Sequence, residues 1–159
     1  MQSFTAALDD LGVDYRFVAP SDIESGALRE GGYRMLLLPY SQILMRKEAQ
    51  AILAFARGGG TVVADLLPGV RDKHGRVLTQ SSVSKLFSSM IEPNGRRIGD
   101  GRAVLIGALL RDYAGEQLLE GEPAPEPVGE GPRRDQPHAL SLFGRILKQA
   151  KVKPSFTAR

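Results

Sequence analysis

The sequence predicts an α/β fold with a doubly wound, mostly parallel sheet, and three observations predict it. Short runs of strand-forming residues at 33–39, 61–64 and 102–107 alternate with segments of helical periodicity. The first two are apolar at their centres, as strands covered on both faces are. The segments between runs are long enough for the crossovers that parallel neighbours require.

Taken in order, Phe4, Ala7, Leu8 and Leu11 recur at helical spacing, with Ser3 as a cap and Gly12 as a stop. Residues 14–18 alternate, contain Tyr15, Phe17 and Val18, and end before Pro20, which predicts a strand. A loop carrying Gly26, Gly31 and Gly32 is expected next. Residues 33–39 then read as a central strand. Met45, Ala49, Ile52, Leu53 and Ala56 form one apolar stripe, with Arg46, Lys47, Glu48, Gln50 and Arg57 outside it, which predicts a helix. Gly58, Gly59 and Gly60 end that helix before the strand at 61–64.

Turn residues at Pro68-Gly69 and at 72–75 predict an irregular surface excursion over 66–80. Ser81 or Ser82 can cap a helix whose inner face is Val83, Leu86, Phe87 and Met90, broken by Pro93-Asn94-Gly95. Residues 102–107 give another strand. The stretch 115–137 is crowded with Gly, Pro and Glu and is expected to be a flexible insertion. Leu140, Phe143, Leu147 and Ala150 predict a closing helix, and 152–159 an exit linker. The organisation is therefore one α/β domain over 1–159. Folds of this type open on a strand, whereas Met1 lies next to the first helix, so the sheet is expected to lack its first strand.

Composition excludes several function classes. With 159 residues, 42% hydrophobic and 25% charged, the chain matches an ordinary globular protein. No cysteine is present, which removes disulfides, thiolate metal sites and any cysteine nucleophile. The formal charge is only +3, and the pairs Arg96-Arg97 and Arg133-Arg134 are not interleaved with aromatics, so nucleic acid is not an expected partner. No apolar run reaches the ~20 residues of a membrane span and no signal peptide is visible, so no membrane partner is expected and the cytoplasm is favoured over secretion.

In open α/β sheets ligands bind beyond the carboxyl ends of the strands, which directs attention to Tyr40, Ser41, Asp65 and, in the following loop, Asp72 and His74. Asp65, Asp72 and His74 could meet as an acid–base or metal cluster, but no ligand spacing supports a metal and the simpler expectation is that they shape turns. Gly58–60 leaves a helix and enters a strand, the reverse of a phosphate cradle. Ser41 lacks the Gly-x-Ser-x-Gly elbow of a serine nucleophile. No carboxylate pair with glycosidase geometry is evident among Glu24, Glu30 and Glu48. No cofactor, metal or catalytic residue is expected; Tyr40, Ser41, Asp65 and His74 are the candidate ligand-binding residues.

Three stretches resemble a known family. Residues 33–39 look like a central strand ending in proline, 48–65 like a helix–glycine–strand unit, and 68–76 like the loop that follows, in the middle, trimerisation domain of bacterial β-galactosidases and related large glycosidases. A weaker likeness lies at 147–154, where that family exits toward a β-rich domain. The resemblance implies a flavodoxin-like, class I glutamine amidotransferase-like fold. Active amidotransferases place a cysteine on a sharp turn after a strand; the nearest position here offers Asp65-Leu66.

The resemblance thus implies a non-catalytic oligomerisation or architectural domain, with self-association or neighbouring domains of a larger glycosidase as partners. The catalytic barrel of such a parent takes about 250 residues and cannot lie within this chain. The alternatives are a small-ligand or sugar-binding module using the crevice near Tyr40, Asp65 and His74, and, behind it, a hydrolase using Ser41 or Asp65 with His74.

Overall fold

The computed structural model describes residues 2–87, 95–107 and 136–155. Most of the predicted insertion at 115–137, residues 88–94 with the end of the predicted helix and most of its Pro93-Asn94-Gly95 break, and the last four residues of the exit linker lie outside them.

Among the described residues four strands form one mixed, mostly parallel sheet: β1 (Met35–Leu38), β2 (Thr61–Ala64), β3 (Arg96–Ile98) and β4 (Gly101–Leu105), in the order β1-β2-β4-β3. β1, β2 and β4 are parallel, with Leu38 opposite Ala64 and Ala64 opposite Leu105. β3 is antiparallel to β4. The helices are α1 (Gln2–Asp10), α2 (Pro20–Ser25), α3 (Ala27–Glu30), α4 (Arg46–Arg57) and α5 (Gln136–Gln149).

All four residues of β2 are buried, as its unbroken apolar run predicts for a strand covered on both faces. Period-two alternation divides the sheet's side chains between two cores. Leu36, Leu38, Val62, Ala64, Ala103 and Leu105 pack with Ile52 and Ala56 of α4, Ile23 of α2 and Leu28 of α3. On the opposite face, Val63, Val104 and Ile106 pack with Phe4, Ala7 and Leu8 of α1 and Phe143, Ile146 and Leu147 of α5. The sheet therefore carries helices on both faces.

α4 follows its predicted stripe at Ala49, Ile52 and Ala56, but Met45 is exposed and Glu48 is buried, the reverse of the expectation for both. The reason is local. Met45 is the extended residue that precedes the helix, and the Glu48 carboxylate turns back to accept its main-chain N–H at 3.1 Å. At the other end Gly59 takes the left-handed conformation, φ 105°, that lets the chain reverse into β2.

Other expectations are corrected. Residues 14–18 form no strand, because among the described residues β1 is the sheet's edge and no strand pairs with this segment; Tyr15 and Phe17 are exposed and meet edge-to-face at 5.7 Å. The glycine loop instead contains α2 and α3, with Pro20 opening the first and Gly26, φ 105°, joining the two. β3 was not expected: Gly99 and Asp100 make a two-residue hairpin turn, with Gly99 at φ 57° in its first position. The helix predicted after Ser81 is not formed over its described part, where residues 82–86 are turn; the Ser81 hydroxyl accepts the Val83 N–H at 3.1 Å and donates to the Pro68 carbonyl at 2.6 Å at the start of that turn. α5 begins at Gln136, so the last two residues of the predicted insertion are helical. The start of the exit linker is tied down by the Ser155 N–H, which donates to the Gly12 carbonyl at 2.8 Å.

Candidate functional site

The carboxyl ends of β1 and β2 bring Tyr40, Ser41 and Asp65 together. Asp65 leaves β2 with its Oδ1 accepting two main-chain N–H groups, from Tyr40 at 2.8 Å and from Leu66 at 2.7 Å. Tyr40 follows Pro39 in the left-handed region, φ 50°, an uncommon conformation for a bulky residue. The bond to Asp65 holds that turn, and the phenol ring points out with 68% of the residue exposed. The Ser41 hydroxyl donates to the Pro39 carbonyl at 3.3 Å, while the Ser41 carbonyl accepts the Gly69 N–H at 2.9 Å.

The excursion after β2 is irregular, as predicted, but densely bonded. Asp72 Oδ1 accepts the main-chain N–H groups of His74 at 2.8 Å and Arg76 at 2.9 Å, closing a turn around Gly75. Arg71 donates from Nε to Gln42 Oε1 at 3.0 Å and from its guanidinium to the Gly75 carbonyl at 2.8 Å. Single bridges pair Arg71 with Ile43 in parallel and with Val77 antiparallel. The loop is thereby sewn to the segment that follows β1.

His74 joins this network through its main chain and is exposed; among the described residues no hydrogen bond links it to Ser41 or Asp65. Asp65 and Asp72 each act on backbone donors, which is the turn-shaping role such residues ordinarily have. Among the described residues no group of three or more His, Cys, Asp or Glu side chains could hold a metal ion. No described helix is long and apolar enough to cross a membrane.

Sequence reasoning missed the exposed apolar residues of these segments. Ile43, Leu66 and Val77, the last 72% exposed, are exposed along with Tyr40 in the segments that follow β1 and β2. Each lies in an irregular stretch beside a single apolar neighbour, Leu44, Leu67 and Leu78 respectively, so no periodicity marks it. Arg71, whose bonds fix the loop's path, gave no signal either. Glu48 could have been found from its place three residues after Met45, where a carboxylate can cap a helix.

No protein-family model, curated protein or solved structure matches the chain.

Proposed function

We propose that this chain is a non-catalytic association domain of a larger, glycosidase-like protein, built on a doubly wound, flavodoxin-like sheet of the class I glutamine amidotransferase type. One observation carries the reading. Asp65, the carboxylate at the position where this type of sheet does its chemistry, is engaged by the main chain of Tyr40 and Leu66. The segments that follow β1 and β2 leave Tyr40, Ile43, Leu66 and Val77 exposed to solvent. A strand end organised in this way is suited to contact with another protein surface, because grouped exposed apolar side chains mark such surfaces.

The resemblance supplies the parent. Its three stretches are β1, the unit made by α4, its glycine cap and β2, and the hydrogen-bonded loop after β2. Self-association or contact with neighbouring domains of the same protein is the corresponding role.

Sedimentation equilibrium of the chain tests this, with the double variant Ile43→Asp, Val77→Asp as its control. Concentration-dependent association that the variant abolishes, with unfolding unchanged, supports the reading; a wild-type chain that stays monomeric at high concentration removes self-association. A thermal shift with one member of a sugar panel, lost in Asp65→Ala, would replace the reading with ligand binding.

A further inference from the structure

Among the described residues the edge of β1 away from β2 is unpaired and opens onto a cleft of about 1000 Å³. One wall is the edge itself. The Thr61 N–H donates to the Arg34 carbonyl at 3.0 Å, so in a parallel ladder the main-chain groups of Arg34, Leu36 and Leu38 point toward β2. Those of Met35 and Leu37 point the other way, into the cleft, and among the described residues no hydrogen bond reaches them. The cleft is also lined by segment 14–18, whose main chain likewise makes no hydrogen bond among the described residues. Two unpaired backbones thus border one space.

The remaining lining fits a strand. Phe4, Leu8 and Val13 belong to the core on one face of the sheet, and Ile23 and Leu28 to the core on the other. A segment lying in the plane of the sheet would set its alternate side chains against both cores, so it must be apolar throughout rather than on one face. The charged lining residues are Arg16, Arg34, Lys151 and Lys153 against Asp14 and Glu48, an excess of positive charge that favours acidic flanks on the occupant. β1 is four residues long. At roughly 3.3 Å per residue, a partner of about four or five residues spans it.

We propose that this cleft is a β-strand acceptor: it takes an extended, continuously apolar segment with acidic ends from another polypeptide, which hydrogen-bonds to Met35 and Leu37 and adds a strand to the sheet. This surface is separate from the patch around Tyr40, and the inference stands whatever that patch contacts.

The test uses the full chain and a capped, labelled peptide of alternating valine and isoleucine with aspartates at both ends. Saturable binding by fluorescence anisotropy is expected, with slowed hydrogen exchange at the Met35 and Leu37 amides. A peptide N-methylated at every second residue should bind about tenfold more weakly or worse, since it cannot form the ladder. Leu37→Pro removes one outward N–H and no bond to β2, so it should keep the fold and lose peptide affinity by a similar factor. If that variant does not fold, the methylated peptide decides alone. Absence of saturable binding, equal affinity for the methylated peptide, or undiminished binding by a folded Leu37→Pro variant overturns the proposal. So does concentration-dependent protection of Met35 and Leu37 without peptide, which assigns the cleft to a second copy.

Discussion

The Asp65 carboxylate accepts the Tyr40 N–H at 2.8 Å, linking the carboxyl ends of two parallel strands through one oxygen atom that also receives the Leu66 N–H. Removing that oxygen releases both donors and the left-handed turn at Tyr40. Asp65→Ala is expected to lower stability in urea unfolding by about 1–2 kcal/mol, because both bonds are to a carboxylate but lie near solvent. Asp65→Asn, which keeps an acceptor in place, should lose less. Equal losses in the two variants would show that the charge, not the acceptor geometry, matters.

Gly101 starts β4 beneath the end of α4. A Cβ there would collide with the carbonyl oxygens of Ala56 and Gly60, both fixed main-chain atoms. Gly101→Ala therefore pushes the strand away from the helix, and a loss of about 1–3 kcal/mol is expected in chemical denaturation. Gly75→Ala provides the contrast: a Cβ meets nothing within 4 Å, so only the positive φ of 79° is charged against it. Its loss should be about 1 kcal/mol.

What the sequence reveals here follows what burial controls. β1, β2 and β4 and the helices α1, α4 and α5 face the two cores, so their apolar spacing is dictated and can be read directly. Segment 14–18 alternates as a strand should, yet being a strand depends on a partner that alternation does not encode. α2 and α3, six and four residues long, are too short to display a periodic stripe, and their only signals are Pro20 and Gly26. β3 has two exposed arginines in three residues and is defined by its turn instead. At the site, Tyr40 and Asp65 could be placed together because each directly follows a strand. The exposure of Ile43 and Val77 depends on the loop path set by Arg71, a long-range bond pattern with no local trace.

Phe143 is fully buried and meets Phe4 edge-to-face with ring centroids 6.0 Å apart, joining α5 to α1 against the sheet. Phe143→Ala is expected to cost about 3–5 kcal/mol through lost transfer energy and the cavity left behind. A double-mutant cycle with Phe4→Ala should give a coupling of about 0.5–1.5 kcal/mol, the share of the aromatic pair beyond area burial. Additive losses would mean that the rings contribute by burial alone.

Glu48 makes the chain's stability depend on pH. Burial raises its carboxyl above the ordinary value; the Met45 N–H acts in the opposite direction, and the charge of Glu24 adds to the rise. In the unfolded chain the same carboxyl releases its proton at lower pH. The folded state therefore holds more protons between the two values, so this group's contribution is present below the unfolded pKa and is lost as pH rises through the folded one. Glu48→Gln keeps an acceptor for Met45 without a charge to bury. The variant's melting temperature relative to wild type should accordingly rise with pH from about 4 to about 7. A difference that falls over that interval would mean that the hydrogen bond to Met45 favours the ionised carboxylate more than burial opposes it.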